Sequence, residues 1–297
     1  MKSIFLTTIF TKENQEHFLK TKDYFLTNES FNLNYISKYD VLITQPFPSE
    51  KALPNYYDNK DYISHTDSKT SWFDRLYQFV KRFAISKKVK LITNQTEEQT
   101  ILDVGCGTGD FLLACKNKNW QVTGIEPNTK ARRLAEQKLP MASIFSDIKN
   151  IELTEKFDII TLWHVLEHIP DLDEYINRLK KFLKPNGRLI IAVPNYKSYD
   201  ARYYGKFWAA YDVPRHLWHF SQKSISSLFL NYKMRIEKII PMKFDSFYVS
   251  FLSEKYKNGK TKPFHAFYIG FRSNLKARKT TEYSSLIYIL KNEKIDF

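Results

Sequence analysis

The chain has 297 residues, is 43% hydrophobic and 16% aromatic, and carries only 8 glycines. That composition excludes long disordered or low-complexity tracts, and no apolar run reaches the roughly 20 residues that span a bilayer. Ile4 to Phe10 is too short for a signal-peptide core, and Cys106 with Cys115 matches no metal knuckle or redox pair, so the sequence reads as cytoplasmic.

In chain order, residues 1 to about 60 read as short strands and turns. Ser71 to Lys90 places Trp72, Phe73, Leu76, Phe79, Val80 and Phe83 at helical spacing, the pattern of an amphipathic helix laid on a core. From about residue 100, strands and helices alternate as in βαβ units around a parallel sheet. Strands are expected at 100–104, 121–125, 142–145, 157–163 and 188–193, with helices at 110–117, 129–138 and 171–183. Pro185-Asn186-Gly187 is read as the stop of the last helix. Residues 234–240 and 285–290 suit an edge pair closing the sheet. The expected organisation is an N-terminal extension over 1–70, a helical cap over 71–99, and one α/β domain over 100–297 with substrate-covering insertions at 195–222 and 241–284.

The strand Ile101-Leu102-Asp103-Val104 breaks into Gly105-Cys106-Gly107-Thr108-Gly109-Asp110, a glycine loop that opens a helix. Such loops let the backbone approach a nucleotide-like ligand at the carboxyl edge of a doubly wound sheet. A dinucleotide site needs a third glycine where Asp110 stands, and a carboxylate there repels phosphate. With Asp103 closing the strand, the loop suits a cationic ligand without phosphate, and S-adenosylmethionine fits. Cys106 is read as a small loop residue and not as a nucleophile. Glu126, followed by Pro127 at the end of the second strand, is placed to accept both ribose hydroxyls. Asp147, after the third strand, is placed to meet the adenine amine, or else Ser146-Asp147 caps a helix.

His164-Val165-Leu166-Glu167-His168 matches the inverted zinc-protease pattern, but those ligands must lie on a helix and His164 directly follows a buried strand. If the cationic ligand is S-adenosylmethionine, transfer of its methyl group would be an in-line displacement, and a histidine near its ordinary pKa would assist it when the acceptor is a hydroxyl. His164 is the leading candidate for that base, since it ends strand four beside where the methyl should point. His216 follows, and Arg215 is a candidate clamp for an acceptor carboxylate or phosphate. His168 is read as capping or orienting the loop, and His219 as packing beside Trp218.

Asp103 to Asp110, Gly124 to Asn128, Phe157-Asp158 with Val165 to Ile169, and Leu183 to Gly187 together resemble the successive motifs of class I S-adenosylmethionine-dependent methyltransferases. The resemblance covers roughly residues 100 to 195, and its nearest branch is similar to the ubiquinone-biosynthesis methyltransferases. It implies a Rossmann-like, doubly wound, seven-stranded and mostly parallel sheet with an antiparallel edge strand. The cofactor residues it marks out are Asp103, Gly105, Cys106, Gly107, Gly109, Glu126, Pro127, Asp147, Trp163 and His164. Asp212 to Ser221 resembles a segment of bacterial sugar and surface-polysaccharide methyltransferases, some of which carry a zinc ribbon ahead of a segment like Thr44 to Ser49. No such cysteines exist here, so the extension reads as a metal-free remnant. In some ubiquinone-type relatives an acidic residue at the position of His164, with residues matching Glu167 and His168, is implied to bind a divalent cation. Histidine at that position leaves such a metal outside our expectation.

The resulting expectation is a methyltransferase for a small-molecule or sugar-precursor acceptor, with O-methylation slightly favoured. An RNA methyltransferase and a non-catalytic S-adenosylmethionine-binding protein are the alternatives. Leu162-Trp163-His164-Val165 stands where nucleic-acid amino-methyltransferases show an Asn/Asp-Pro-Pro-aromatic signature. The formal charge of +14 is compatible with nucleic acid, an acidic membrane surface or an anionic substrate. Its clusters at Lys81-Arg82, Lys87 to Lys90 and Lys276 to Lys279 are mild, and a solvated lysine-rich surface is the simpler reading.

Overall fold

The computed structural model describes residues 13–49, 52–57, 72–93 and 99–293. In chain order its elements are β1 (Glu16–Lys22), β2 (Ser30–Ile36), β3 (Val41–Gln45), α1 (Trp72–Thr93), β4 (Thr100–Val104), α2 (Asp110–Lys116), β5 (Gln121–Ile125), α3 (Thr129–Lys138), β6 (Ser143–Phe145) and β7 (Phe157–Trp163). There follow α4 (Leu172–Phe182), β8 (Leu183–Pro194), α5 (Tyr199–Tyr204), β9 (Trp218–His219), α6 (Gln222–Leu230), β10 (Met234–Pro241), α7 (Asp245–Asn258), α8 (Pro263–Thr280) and β11 (Ser285–Asn292). Seven strands form one sheet in the order β10-β11-β8-β7-β4-β5-β6, with β7, β4, β5 and β6 paired in parallel. The expected doubly wound α/β fold is therefore the observed one, and β10 and β11 close one edge as expected.

The chain divides into two compact units. One comprises Asn59–Trp163, Glu174–Ile190 and Leu290–Phe297. Its central strands β4 and β7 are buried along almost their whole length, which is why they read as near-continuous apolar runs. Asp158 anchors the start of β7: its carboxylate accepts from the Thr100 N–H at 3.0 Å, from the Thr100 hydroxyl and from Lys184 Nζ at 2.9 Å. Two glycines hold this unit tight. Gly109 adopts φ +80, and a Cβ there would lie 3.1 Å from the Ala135 backbone on α3. A Cβ on Gly124 would lie 2.8 Å from Cys106 Sγ.

The other unit comprises Met1–Asp58, His164–Asp173 and Ile191–Ile289. It contains a second sheet, β1-β2-β3-β9, whose strand pairs are antiparallel. Here the Thr44 segment meets the Asp212 to Ser221 segment: the Thr44 N–H donates to the Leu217 carbonyl at 3.0 Å and its hydroxyl to the His216 carbonyl at 2.6 Å. An apolar cluster that includes Leu33, Leu42, Tyr204, Trp208 and Val249 fills the space between this sheet and helices α5 and α7.

Three expectations need correction. The fifth main strand begins at Leu183 and not at Arg188, so Pro185-Asn186-Gly187 lies within β8; a Cβ on Gly187 would sit 3.0 Å from the Asp158 carbonyl, so close approach and not a turn calls for glycine. Phe83, expected on a buried helix face, is 43% exposed, while Val89 and Ile92 carry the burial at the end of α1. The side chains of Trp72, Phe73, Leu76, Phe79 and Val80 lie outside the described residues. The third strand is Ser143–Phe145, one residue shorter than expected.

Replacing Gly109 by alanine imposes a left-handed backbone on an L-residue and crowds α3, so it should cost about 1–3 kcal/mol. Urea denaturation followed by circular dichroism checks this: the midpoint should fall with an unchanged slope.

Candidate active site

The first constellation belongs to the unit that holds β4 and β5. Gly105, Gly107 and Gly109 all have positive φ, at 71, 56 and 80, so the loop needs residues that tolerate the left-handed region. They do different work. Gly109 permits packing on α3, whereas beyond its own chain neighbours no described residue comes within 4 Å of the place a Gly107 Cβ would occupy. The backbone is therefore open at Gly107, where a bound molecule can approach it. Glu126 sets the shape of the loop: one carboxylate oxygen accepts the Gly107 N–H at 2.8 Å and the other the Asn128 N–H at 2.8 Å. Burial pushes its pKa up, against the pull of those two N–H groups. Each oxygen keeps a second lone pair, and that is the acceptor set a ribose diol requires.

Asp103 is 2% exposed and accepts the Thr161 hydroxyl at 2.6 Å. Burial raises its pKa to about 7, with Thr161 and Lys88 opposing and Glu126 reinforcing the shift. Trp163 stands at the end of β7, edge-on to Phe111 at 5.8 Å, with Lys88 Nζ 4.4 Å from its ring centre. Its indole N–H is buried without a hydrogen-bond partner among the described residues, a donor still available to a ligand. Asp110 pairs with Lys138 at 2.8 Å, so part of the negative charge expected of this loop is compensated locally. Asp147 is exposed and accepts the Lys149 N–H at 2.8 Å, which is the capping arrangement weighed against adenine binding. Pro127 offers its carbonyl to Arg132 at 3.1 Å, and Cys106 is buried with its thiol pKa pushed up, as fits a packing residue. An open backbone at Gly107, a two-sided acceptor at Glu126 and a free indole donor fit an adenosyl-type ligand.

The second constellation lies wholly in the other unit. His164 follows β7 with φ 58, a strained value for a residue with a side chain. Its Nε2 lies 3.2 Å from Asp245 and its Nδ1 3.5 Å from Glu167. Burial favours the neutral ring, but the two carboxylates outweigh it and push the pKa to about 10. Glu167 is 1% exposed and neither of its oxygens accepts a hydrogen bond of good geometry among the described residues; His164 Nδ1 at 3.5 Å and His216 Nε2 at 4.0 Å hold its carboxyl below the usual range despite burial.

A carbonyl can only accept, so His216 Nδ1 donates to the Ala210 carbonyl at 2.9 Å, which turns Nε2 towards the buried Glu167 at 4.0 Å. His168 Nδ1 lies 3.0 Å from both the Arg215 carbonyl and the Tyr57 hydroxyl. Burial and the neighbouring His216 depress His168 to about 4. Glu167, His168 and His216 each offer a ligand atom within 4.8 Å of the others, a one-carboxylate, two-imidazole set that matches divalent cations. This grouping takes His216, 48 positions on, in place of the His164 that motif reading would have used.

Arg215 is 2% exposed, and its guanidinium donates to Asp23 at 2.8 Å and to Asp212 at 2.6 Å. Its charge is met inside the protein, so it braces the segment before His216 and is not left over to clamp an acceptor. His219 bonds Thr44 Oγ1 at 3.0 Å and stands edge-on to Tyr211, while burial keeps its pKa well below the ordinary value.

Residues 73–238 match the family model described as a methyltransferase domain, more than half of the chain. The chain belongs to the class I S-adenosylmethionine-dependent methyltransferases. Among curated relatives, this methyltransferase is 31% identical over 127 residues to a ubiquinone biosynthesis O-methyltransferase of Rhodopseudomonas palustris (strain HaA2), a match covering 40% of this chain and 50% of the relative. It is 30% identical over 116 residues to that of Rickettsia typhi (strain ATCC VR-144 / Wilmington), covering 37% and 47%. The chain thus spans about half the length of the curated relatives it matches. In structure it is similar to magnesium protoporphyrin IX methyltransferase from Synechocystis PCC 6803 with bound SAH, at a TM-score of 0.54 and 13% identity, covering 82% of this chain and 100% of the other. Geranyl diphosphate C-methyltransferase from Streptomyces coelicolor A3(2) matches with a TM-score of 0.53 and 10% identity, covering 82% and 97%.

Asp245 and Asp23 were not singled out in the sequence, because each meets its histidine or arginine through the fold; Asp212 meets Arg215 locally, three residues on. The two histidines dictate opposite pH behaviour. With its folded pKa raised, His164 contributes stability that is complete below about 6.5 and is lost as pH rises through about 10. His168, depressed to about 4, contributes stability above about 6.5 that is lost as pH falls through about 4. Imidazole proton shifts followed by NMR in EDTA should show His164 charged throughout the neutral range and His168 neutral down to about pH 5; a His164 midpoint near 6.5 would contradict the carboxylate pairing.

Proposed function

We propose that the chain transfers the methyl group of S-adenosylmethionine to a hydroxyl of a small-molecule or sugar-type acceptor. The observation that carries this reading is the orientation of the His216 ring, whose Nδ1–H bond to the Ala210 carbonyl directs Nε2 towards the buried Glu167. Glu126 would hold the ribose of the donor, with the open Gly107 backbone and the Trp163 N–H supporting the rest of it. When bound, the donor supplies an electrophilic methyl group on a sulfonium. The residues of the chain do the remainder: His216 takes the acceptor's proton at Nε2, and Glu167 stabilises the imidazolium that forms. His164, already protonated between two carboxylates, cannot take a proton at neutral pH, so we assign it a positioning role and move the base from His164 to His216. Segments 195–222 and 241–284 would supply acceptor contacts.

A second reading is favoured by the two oxygens of Glu167 that accept no hydrogen bond among the described residues. Glu167, His168 and His216 would hold a divalent cation, which would lower the pKa of an acceptor hydroxyl. Mn²⁺ binding by the full chain, measured calorimetrically and lost in His216→Ala, separates it from the base-only reading.

Calorimetric titration with S-adenosylhomocysteine should show binding that Glu126→Ala weakens by about ten- to hundredfold. A methyl-label screen against phenolic, sugar-nucleotide and RNA acceptors should favour the first two, and His216→Ala should slow transfer by about 10²–10⁴ with product affinity unchanged. Absence of nucleoside binding would sink the reading, and transfer to RNA alone would replace the acceptor.

A further inference from the structure

Helices α7 and α8 form a hairpin whose amphipathy is reversed. Inward, α7 buries Ser246, Val249, Ser250, Ser253 and Glu254, and α8 buries Ala266, Ile269, Gly270, Ser273 and Ala277. Small side chains bring the two helices close: a Cβ on Gly270 would lie 2.9 Å from Phe247 Cα, and the Ser246 hydroxyl donates to the Gly270 carbonyl at 3.1 Å. Outward, the hairpin shows Phe251 (46% exposed), Phe264 (91%), Phe267 (63%), Tyr268 (51%), Phe271 (48%) and Leu275 (40%). The five on α8 recur at i, i+3, i+4, i+7 and i+11, one continuous helical face. Scattered exposed apolar residues need no explanation, but a contiguous aromatic stripe of this kind marks a surface that something covers.

The charge on the same hairpin says what covers it. Residues 241–281 contain nine Lys or Arg and two Asp or Glu. Both acids are engaged inward, Asp245 with His164 and Glu254 with His265 at 2.7 Å, while Lys255, Lys262, Lys276 and Lys279 are exposed. The occupant is therefore anionic at its rim and apolar within. A phenylalanine-rich helical face bordered by lysines is what lies in the headgroup region of an anionic bilayer. Small residues between helices with large apolar ones outward is also how helices pack where lipid surrounds them. No described helix is long and apolar enough to cross a membrane, so the hairpin would lie on the bilayer.

We propose that the α7–α8 hairpin docks this protein on the surface of an anionic lipid bilayer. The inference concerns the outward face of the hairpin and does not depend on the acceptor chemistry proposed above. Its test is co-sedimentation of the full chain with phosphatidylcholine vesicles, with and without phosphatidylglycerol, alongside sedimentation velocity in the absence of lipid. The chain should pellet with anionic vesicles only. Lys262→Gln and Lys276→Gln should each lower partition by about fivefold. Phe264→Ser, at a site too exposed to affect folding, should weaken binding, and a Phe264→Ser/Phe267→Ser/Phe271→Ser variant with an unchanged melting temperature should no longer pellet. A chain that ignores anionic vesicles overturns the proposal, as does a triple variant that binds like the parent. A dimer that the same serine substitutions split, without vesicle binding, overturns it by assigning the face to a second copy.

Discussion

An ionised carboxylate taken out of water must be met by a cation or by several hydrogen-bond donors, or it costs several kcal/mol. That constraint shapes this protein at each point where function is read. Glu126 is met by two backbone N–H groups, and meeting them is what curves the glycine loop. Asp158 is met by Thr100 and Lys184, which ties the start of β7 to β4 and β8. Asp23 and Asp212 are met by Arg215, Asp40 by Lys197, Tyr196 and Ser221. Asp103, met among the described residues only by the Thr161 hydroxyl, and Glu167 depart from this pattern. Glu167 is nearly fully buried, its oxygens accept no hydrogen bond among the described residues, and imidazoles flank it. A buried carboxylate left in that condition is open to a proton or a cation, which is the ground on which we propose acceptor chemistry around it.

The donor half was legible in the sequence because its determinants are local. Three glycines with positive φ, an acidic residue at the end of the next strand and an apolar run for each buried strand all lie within one stretch of βαβ alternation. Even there, residue type gave less than conformation. Gly109 turned out to be a packing glycine while Gly107 keeps the backbone open, and Asp110 is paired with Lys138, so exclusion of phosphate rests less on its charge than the sequence suggested.

The histidine-rich constellation was legible only in its parts. His164, Glu167, His168, Arg215 and His216 were each visible, but several of their partners are supplied from far away in the chain. Asp23 reaches Arg215 across 192 residues, and Asp245, at the first turn of α7, turns His164 from a base near neutrality into a standing cation. No periodicity records such pairings, because one hydrogen bond between distant segments leaves no pattern in either. The same limit hid the second sheet, where Thr44 joins the Leu217 strand by side-chain and backbone bonds at a separation no turn signal spans.

The α7–α8 hairpin shows a different failure of pattern reading. Amphipathy in a sequence gives the period of a helix and the direction of its apolar face, but it does not say whether that face looks into the protein. The usual assumption, apolar inward, places Phe264, Phe267 and Phe271 in a core. Serine, alanine and glycine occupy the core side instead, because two helices this close leave no room for larger side chains. The aromatic rings are then displaced to the surface by packing, not by chance. Lys255, Lys262, Lys276 and Lys279, which looked merely scattered in the sequence, are exposed on the same hairpin, so part of the excess positive charge lies on the element that carries the exposed rings.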